Sequence, residues 1–130
     1  MRRFAAVALG ILFCSLVVSP AQAEQPSLLD RINAERAPAG LAPLEEDGAL
    51  SAVCQTEAVA FDLAPGPVPP AVSLVSTVGE NIGEGFATVQ TVMTSWMNSN
   101  GHRANILNPD FRHLGQGHSG TAWCADFTSL

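Results

Sequence analysis

Apolar positions along the 130-residue chain change period several times, and each change predicts an element. Leu28, Leu29 and Ile32 share one side of a helix that begins after Ser27, a suitable N-cap, and stops before Pro38 and Gly40. Asn33 and Arg36 lie beside that stripe, as a buried polar tether to a neighbouring loop or as a solvated flank. Behind Asp47, a second helix carries Leu50, Val53, Cys54, Ala58 and Phe61 at helical spacing. Glu57 interrupts that stripe, so its carboxylate is either at the boundary of the core or paired inside it. The clearest helical face is Val89, Val92, Met93, Trp96 and Met97, within a helix over 88–98. Asn100 and Gly101 are expected to end it in left-handed conformations, with only a short turn from Arg103 to Leu107 before Asn108 and Pro109.

Between the helices the pattern turns extended. Five prolines and glycines between Ala64 and Pro70 rule out regular structure there, and Ala71 to Ile82 becomes a strand by Val75. Residues 112–118 and 121–128 read as two strands of a hairpin turning at Ser119 and Gly120. Helices around an antiparallel sheet predict an α+β sandwich. No internal repeat is visible.

The N-terminal pattern is of another kind. Arg2 and Arg3 precede an apolar run from Phe4 to Val18, then Ser19, Pro20 and the small-residue triplet Ala21-Gln22-Ala23. That order is expected for a cleavable signal peptide over 1–23. The run is shorter than the roughly 18 to 20 residues of a membrane span, so no stable span is expected. Cys14 falls inside the peptide, after bulky Leu12 and Phe13, where lipoprotein processing wants small residues. Residues 24–130 then form a single domain, secreted to an extracellular or periplasmic space.

Charge narrows the partners. Arg31, Arg36, Arg103 and Arg112 face all twelve acids in residues 24–130, a formal charge of −8, and no lysine occurs. Such a domain repels phosphate backbones, which excludes nucleic acid as a partner. Cys54 and Cys124 remain after processing. In an oxidising compartment they form a disulfide worth ~4 kcal/mol through loop closure, or else stay as two buried thiols. A catalytic cysteine is excluded by the place of Cys54 on an apolar helical stripe.

Two residues stand out as chemistry. Glu80 shares its strand face with Val78 and Ile82, which turns its carboxylate inward, unless Gly79 and Gly83 break the alternation and leave it in water. His102 opens the turn after Gly101, where free backbone N–H groups favour a neutral imidazole able to take a proton, ligate a metal or serve as a structural hydrogen-bonder. His113 and His118 are five apart and so face opposite ways in a strand, which argues against joint chelation. Gly117-His118-Ser119-Gly120 is no nucleophile elbow, and the glycines from Gly79 to Gly85 have the wrong spacing for a dinucleotide loop.

Gly79-Glu80-Asn81-Ile82, the run Ser95-Trp96-Met97-Asn98-Ser99-Asn100-Gly101-His102-Arg103-Ala104-Asn105-Ile106-Leu107, and the closing Gly115-Gln116-Gly117 with Trp123 to Phe127 resemble a CAP domain. This is the superfamily of cysteine-rich secretory proteins, antigen 5 and pathogenesis-related class 1 proteins, here in its bacterial SCP-like branch. Residues 32–36 through Leu44 resemble the opening helix of the family more loosely. The resemblance implies a three-layer α-β-α sandwich with a small antiparallel sheet, an extracellular setting, and a cleft of two histidines and two glutamates that holds a divalent metal in some members.

The carry-over is partial. Glu80 matches the first glutamate and His102 the later histidine, making them the expected cleft pair, while Ser99 stands where a second glutamate is common. The first histidine has no counterpart near Phe61-Asp62-Leu63. Glu80 and His102 are then the only metal candidates, too few for a stable zinc-type site, and no cofactor is expected. The resemblance therefore implies a non-enzymatic binding module for a small hydrophobic ligand, a cell-envelope component or a protein. The alternative is a weak metal-assisted hydrolase of peptide or cell-envelope bonds, with Glu80 as base and His102 as ligand.

Overall fold

In the computed structural model, residues 25–64 and 78–130 are described. The expected signal peptide, the proline-rich loop and the start of the strand before Val78 lie outside them.

Ser27 and Asp30 cap each other reciprocally and launch α1 (Leu28–Arg36). A short 3-10 turn over Ala37–Ala39 follows, closed by Gly40 at φ 73°. Strand β1 (Glu45–Glu46) leads to Asp47, whose carboxylate accepts from the N–H groups of Ala49 and Leu50 and starts α2 (Gly48–Leu63). Strand β2 (Val78–Gly83) precedes α3 (Val89–Met97), which Thr88 and Thr91 cap.

The boundary after α3 differs from the sequence expectation. The helix ends at Asn98, and Asn100 and Gly101 begin α4 (Asn100–Ile106) instead of stopping a helix. No non-glycine residue has positive φ among the described residues, and Gly101 is not among the glycines that do. Burial of Ile106 offsets the poor intrinsic helicity of this seven-residue segment. Strands β3 (His113–Ser119) and β4 (Ala122–Thr128) close the chain as the expected hairpin, turning at Gly120 with φ 54°.

The four strands lie in the order β1-β3-β4-β2. The hairpin and the β2–β4 pair are antiparallel, as expected, but β1 runs parallel to β3, so the sheet is mixed. Two residues in an otherwise featureless link carried no sequence signal for that edge.

Strand alternation assigns the sheet faces. Asn81, Leu114, Ala125 and Phe127 point toward α1, α3 and α4, where Ile32, Val92, Met93, Trp96 and Ile106 complete the main core. Among the described residues, the opposite face is roofed by α2 alone. There β3 presents Gly115 and Gly117, and a Cβ added at either would come within 2.5 Å of the backbone of Leu50 or Cys54. Side-chain-free positions thus let the helix backbone rest directly on the strand. The result is an α-β-α sandwich.

Two polar side chains tie α1 into this frame, deciding the open reading of Asn33 and Arg36 for the tether. Asn33 exchanges two hydrogen bonds with the backbone of Leu44, at 2.8 and 3.0 Å. Arg36 is fully buried and donates to the carbonyls of Ala42, Ile106, Asn108 and Phe111. Four carbonyl dipoles replace the water that its charge lost, and no carboxylate shares them.

Candidate functional site

The signature residues of β2 act first as a latch. Asn81, buried on the main-core face, donates from Nδ2 to the carbonyl of His102 at 3.0 Å. Asn105 returns the contact, donating to Asn81 Oδ1 at 2.9 Å and to the Glu80 carbonyl at 3.2 Å. Trp96 reaches the same strand through Nε1 and the Ile82 carbonyl. One buried amide with a donor and an acceptor thus fixes α4 against β2, which explains the pairing of these two segments.

His102 sits in the first turn of α4, half-buried, with its ring centroid 6.1 Å from that of Trp96. Burial pushes its pKa below the usual value, which favours the neutral imidazole. The direction agrees with the sequence expectation. Desolvation is the cause, not the dipole of so short a helix. Ser99 is the N-cap residue of α4, but its side chain makes no capping hydrogen bond.

Glu80 faces the other way. Alternation turns its side chain to the α2 side of the sheet, directly across the ladder from Asp126. Glu57, on α2, completes a group in which one oxygen from each carboxyl lies within 4.8 Å of the others. Among the described residues no hydrogen bond or ion pair joins the Glu80 carboxylate to the His102 ring. Glu80 is the exposed member of the three, Glu57 is 8% exposed and Asp126 is 1% exposed. Burial of Glu57 settles its place in the α2 stripe, and Val53, expected in the core, is 45% exposed instead.

The electrostatics follow from this crowding. Burial first, and then the negative charge of Glu80, push Glu57 up to about 7. Contact between the two carboxyls raises Glu57 further and partly offsets the burial that raises Glu80. Asp126 is pushed up to about 7 by burial, then by Glu57 and Glu80. Its Oδ1 is buried with no hydrogen-bond partner among the described residues. The cysteines adjoin this layer: Cys54 and Cys124 form a disulfide, and Cys124 Sγ lies 3.5 Å from Glu57 Oε2. A bridged sulfur carries no hydrogen, so only the protonated carboxyl can donate there.

The other candidates lie apart. His118 is exposed, stacked on Trp123 at 3.8 Å, with Nε2 2.8 Å from the Gly120 carbonyl. His113 is half-buried at the opposite end of β3. A groove of about 320 Å³ runs between α1 and α3, lined by Arg31, Glu35, Gln90, Met93, Thr94 and Met97 among others.

The metal centre that the resemblance implies does not fit these residues. It needs two imidazoles and two carboxylates on one cleft, whereas Ser99 stands where the resemblance places one glutamate, and among the described residues Glu80 groups with Glu57 and Asp126 and with no histidine. Sequence reasoning passed over Asp126 and left Glu57 at the core boundary or paired, with no partner named, although a signal existed. Once Cys54 and Cys124 are bridged, Asp126 two residues along the strand and Glu57 three along the helix must enter the same interface.

Comparison with known proteins agrees with this architecture. The family described as "Cysteine-rich secretory protein family" (CAP) matches residues 29–127. The uncharacterized protein YkwD of Bacillus subtilis is 37% identical over 124 residues, covering 84% of this chain and 48% of that protein. The chain therefore spans about half the length of that relative. An extracellular SCP-domain protein of Bacillus anthracis superposes with a TM-score of 0.73 at 22% identity, over 79% of this chain and 39% of the other. A cysteine-rich secretory protein of Staphylococcus aureus gives 0.70 at 23% identity, over 79% and 37%. An outer surface protein of Borrelia burgdorferi gives 0.65 at 20% identity, over 77% and 87%. At these identities the structural likeness concerns the fold.

Proposed function

Because the chain belongs to the cysteine-rich secretory protein (CAP) family, we propose that it is an exported, non-enzymatic binding module, released from a signal peptide over residues 1–23. No described helix is long and apolar enough to cross a membrane. Glu80, His102 and Ser99 belong to the cleft wall, and the ligand is a small hydrophobic molecule, a cell-envelope component or a protein.

The observation that carries this reading is what the cleft residues are bonded to. Glu80 is grouped with two other carboxyls, and the segment bearing His102 is held by Asn81 through its backbone. A general base needs an acceptor aimed at substrate, and a hydrolytic metal needs ligands converging on an open position. These groups instead brace one element against another. The groove between α1 and α3 joins apolar Met93 and Met97 to polar Arg31, Gln90 and Thr94, a lining suited to an amphipathic ligand.

The test is to secrete the full chain, read the cleavage site and co-purifying molecules by native mass spectrometry, and measure co-sedimentation with purified envelopes. Retention without turnover of envelope peptides is expected, with Thr94→Arg in the groove weakening retention at least tenfold. Peptide turnover abolished by both Glu80→Gln and His102→Ala would instead establish the hydrolase reading.

A further inference from the structure

We propose that Glu57, Glu80 and Asp126 form an all-oxygen site for a hard divalent cation of the calcium class, which pins α2 to β2 and β4. The site uses no imidazole and shares only Glu80 with the histidine and glutamate centre rejected above. It also stands independently of the binding reading, since its effect is on how the elements are held together.

Geometry is the first support. Oxygens that share a calcium ion at about 2.3–2.6 Å lie up to roughly 5 Å apart. One oxygen from each carboxyl already lies within 4.8 Å of the other two. The side chains come from three elements, so a shared ion would cross-link the roof helix to two strands.

The second support is the unpartnered Asp126 Oδ1, buried in a residue only 1% exposed. Such an oxygen is costly unless something positive meets it. Among the described residues, no arginine or histidine side chain hydrogen-bonds to it. Across the ladder, Asp126 has Glu80 on one side and Gly115, with no side chain, on the other. On the helix above, Cys54, Ala58 and Phe61 flank Glu57 without a charge.

Ligand chemistry selects the ion class. Three carboxylates without nitrogen suit calcium, magnesium or manganese, and the nearby sulfurs are tied in a disulfide, which removes the soft donors that would favour zinc. Glu80 is exposed, leaving an entrance for the ion and room for waters to complete its shell.

The experiment uses the oxidised protein stripped with chelator and titrated with Ca2+, Mg2+ or Zn2+, followed by calorimetry and thermal melting. One Ca2+ per chain and a melting temperature raised by several degrees are expected. Asp126→Asn should weaken Ca2+ at least tenfold while leaving the metal-free protein folded, because the amide removes repulsion at constant shape. Glu57→Gln should do the same, and His102→Ala should leave Ca2+ binding unchanged. Mg2+ binding with the same dependence on Asp126 also supports the site. The proposal is overturned if neither Ca2+ nor Mg2+ produces heat or a melting shift well above the ~10⁻³ M range of weak extracellular calcium modules. It is equally overturned if Asp126→Asn binds as the parent does, or if only Zn2+ binds and that binding depends on His102.

Discussion

Glu80 and Asp126 stand directly opposite each other in the β2–β4 ladder, with Glu57 overhanging both from α2. Like charges at opposed ladder positions destabilise a sheet. Here the repulsion is relieved by keeping protons on carboxyls that an unfolded chain would surrender.

That retention fixes a pH dependence for the metal-free protein. Glu57 and Asp126 titrate at about 7 when folded, far above ordinary carboxyls, so the folded state binds more protons between about pH 4 and 7. Their contribution is fully present below the unfolded pKa values and is lost as pH rises through 7. Each extra proton held is worth up to about 1.4 kcal/mol per pH unit of slope. Calorimetric melting in chelator should therefore show stability falling from pH 5 to 8, with a flatter fall for Asp126→Asn. A melting temperature that climbs over that range would contradict the assignment.

Arg36 predicts a large loss from a distant change. Replacing it with methionine keeps much of the apolar stem but orphans the carbonyls of Ala42, Ile106 and Asn108, which it now serves at 2.9 Å. A cost of about 3 kcal/mol or more is expected in urea unfolding. Arg36→Lys should recover little, because one ammonium cannot span three separated carbonyls with the guanidinium fork.

Gly117→Ala should destabilise by about 1–3 kcal/mol through overpacking. The new Cβ would lie 2.5 Å from backbone atoms of Cys54, and backbone cannot step aside as a side-chain tip can. Gly48→Ala, where an added Cβ meets nothing within 4 Å, is the control and should not destabilise. Equal unfolding midpoints for the two variants would refute the close contact.

Reduction of Cys54–Cys124 opens a loop of 70 residues and should lower stability by ~4 kcal/mol. Intact mass before and after reductant, paired with urea midpoints, measures both the bridge and its worth. A bridged mass with unchanged midpoints after reduction would show that α2 is held by packing alone.

How far the residues alone reveal this arrangement depends on periodicity. Val89, Val92, Met93 and Trp96 recur at helical spacing and are all buried, so α3 was legible almost to the residue. Strand β1 was not, because two glutamates on a sheet edge carry neither alternation nor burial. The end of α3 misled for a related reason. Asn-Gly commonly stops a helix, yet Ser99 adopts an extended cap and Ile106 is buried, and tertiary packing overrode the local preference.

The site was legible one residue at a time. Glu80 and His102 could be picked out individually, but their partners depend on which face each side chain takes and on the register with β4. Glu57 shows the difficulty: helical phase placed it among apolar neighbours without saying what would meet it. A pairing of Cys54 with Cys124 would have narrowed that choice, since it aligns the phases of a helix and a strand otherwise unrelated in sequence.

The sulfur bridge and the acid layer share one wall of the molecule, and this makes them thermodynamically reciprocal. A proton or ion held more tightly by the bridged form than by the reduced one steadies the bridge against reductants by that same factor. In surroundings of changing acidity and salt content, the redox durability of the bridge would thus be set by the solution around it.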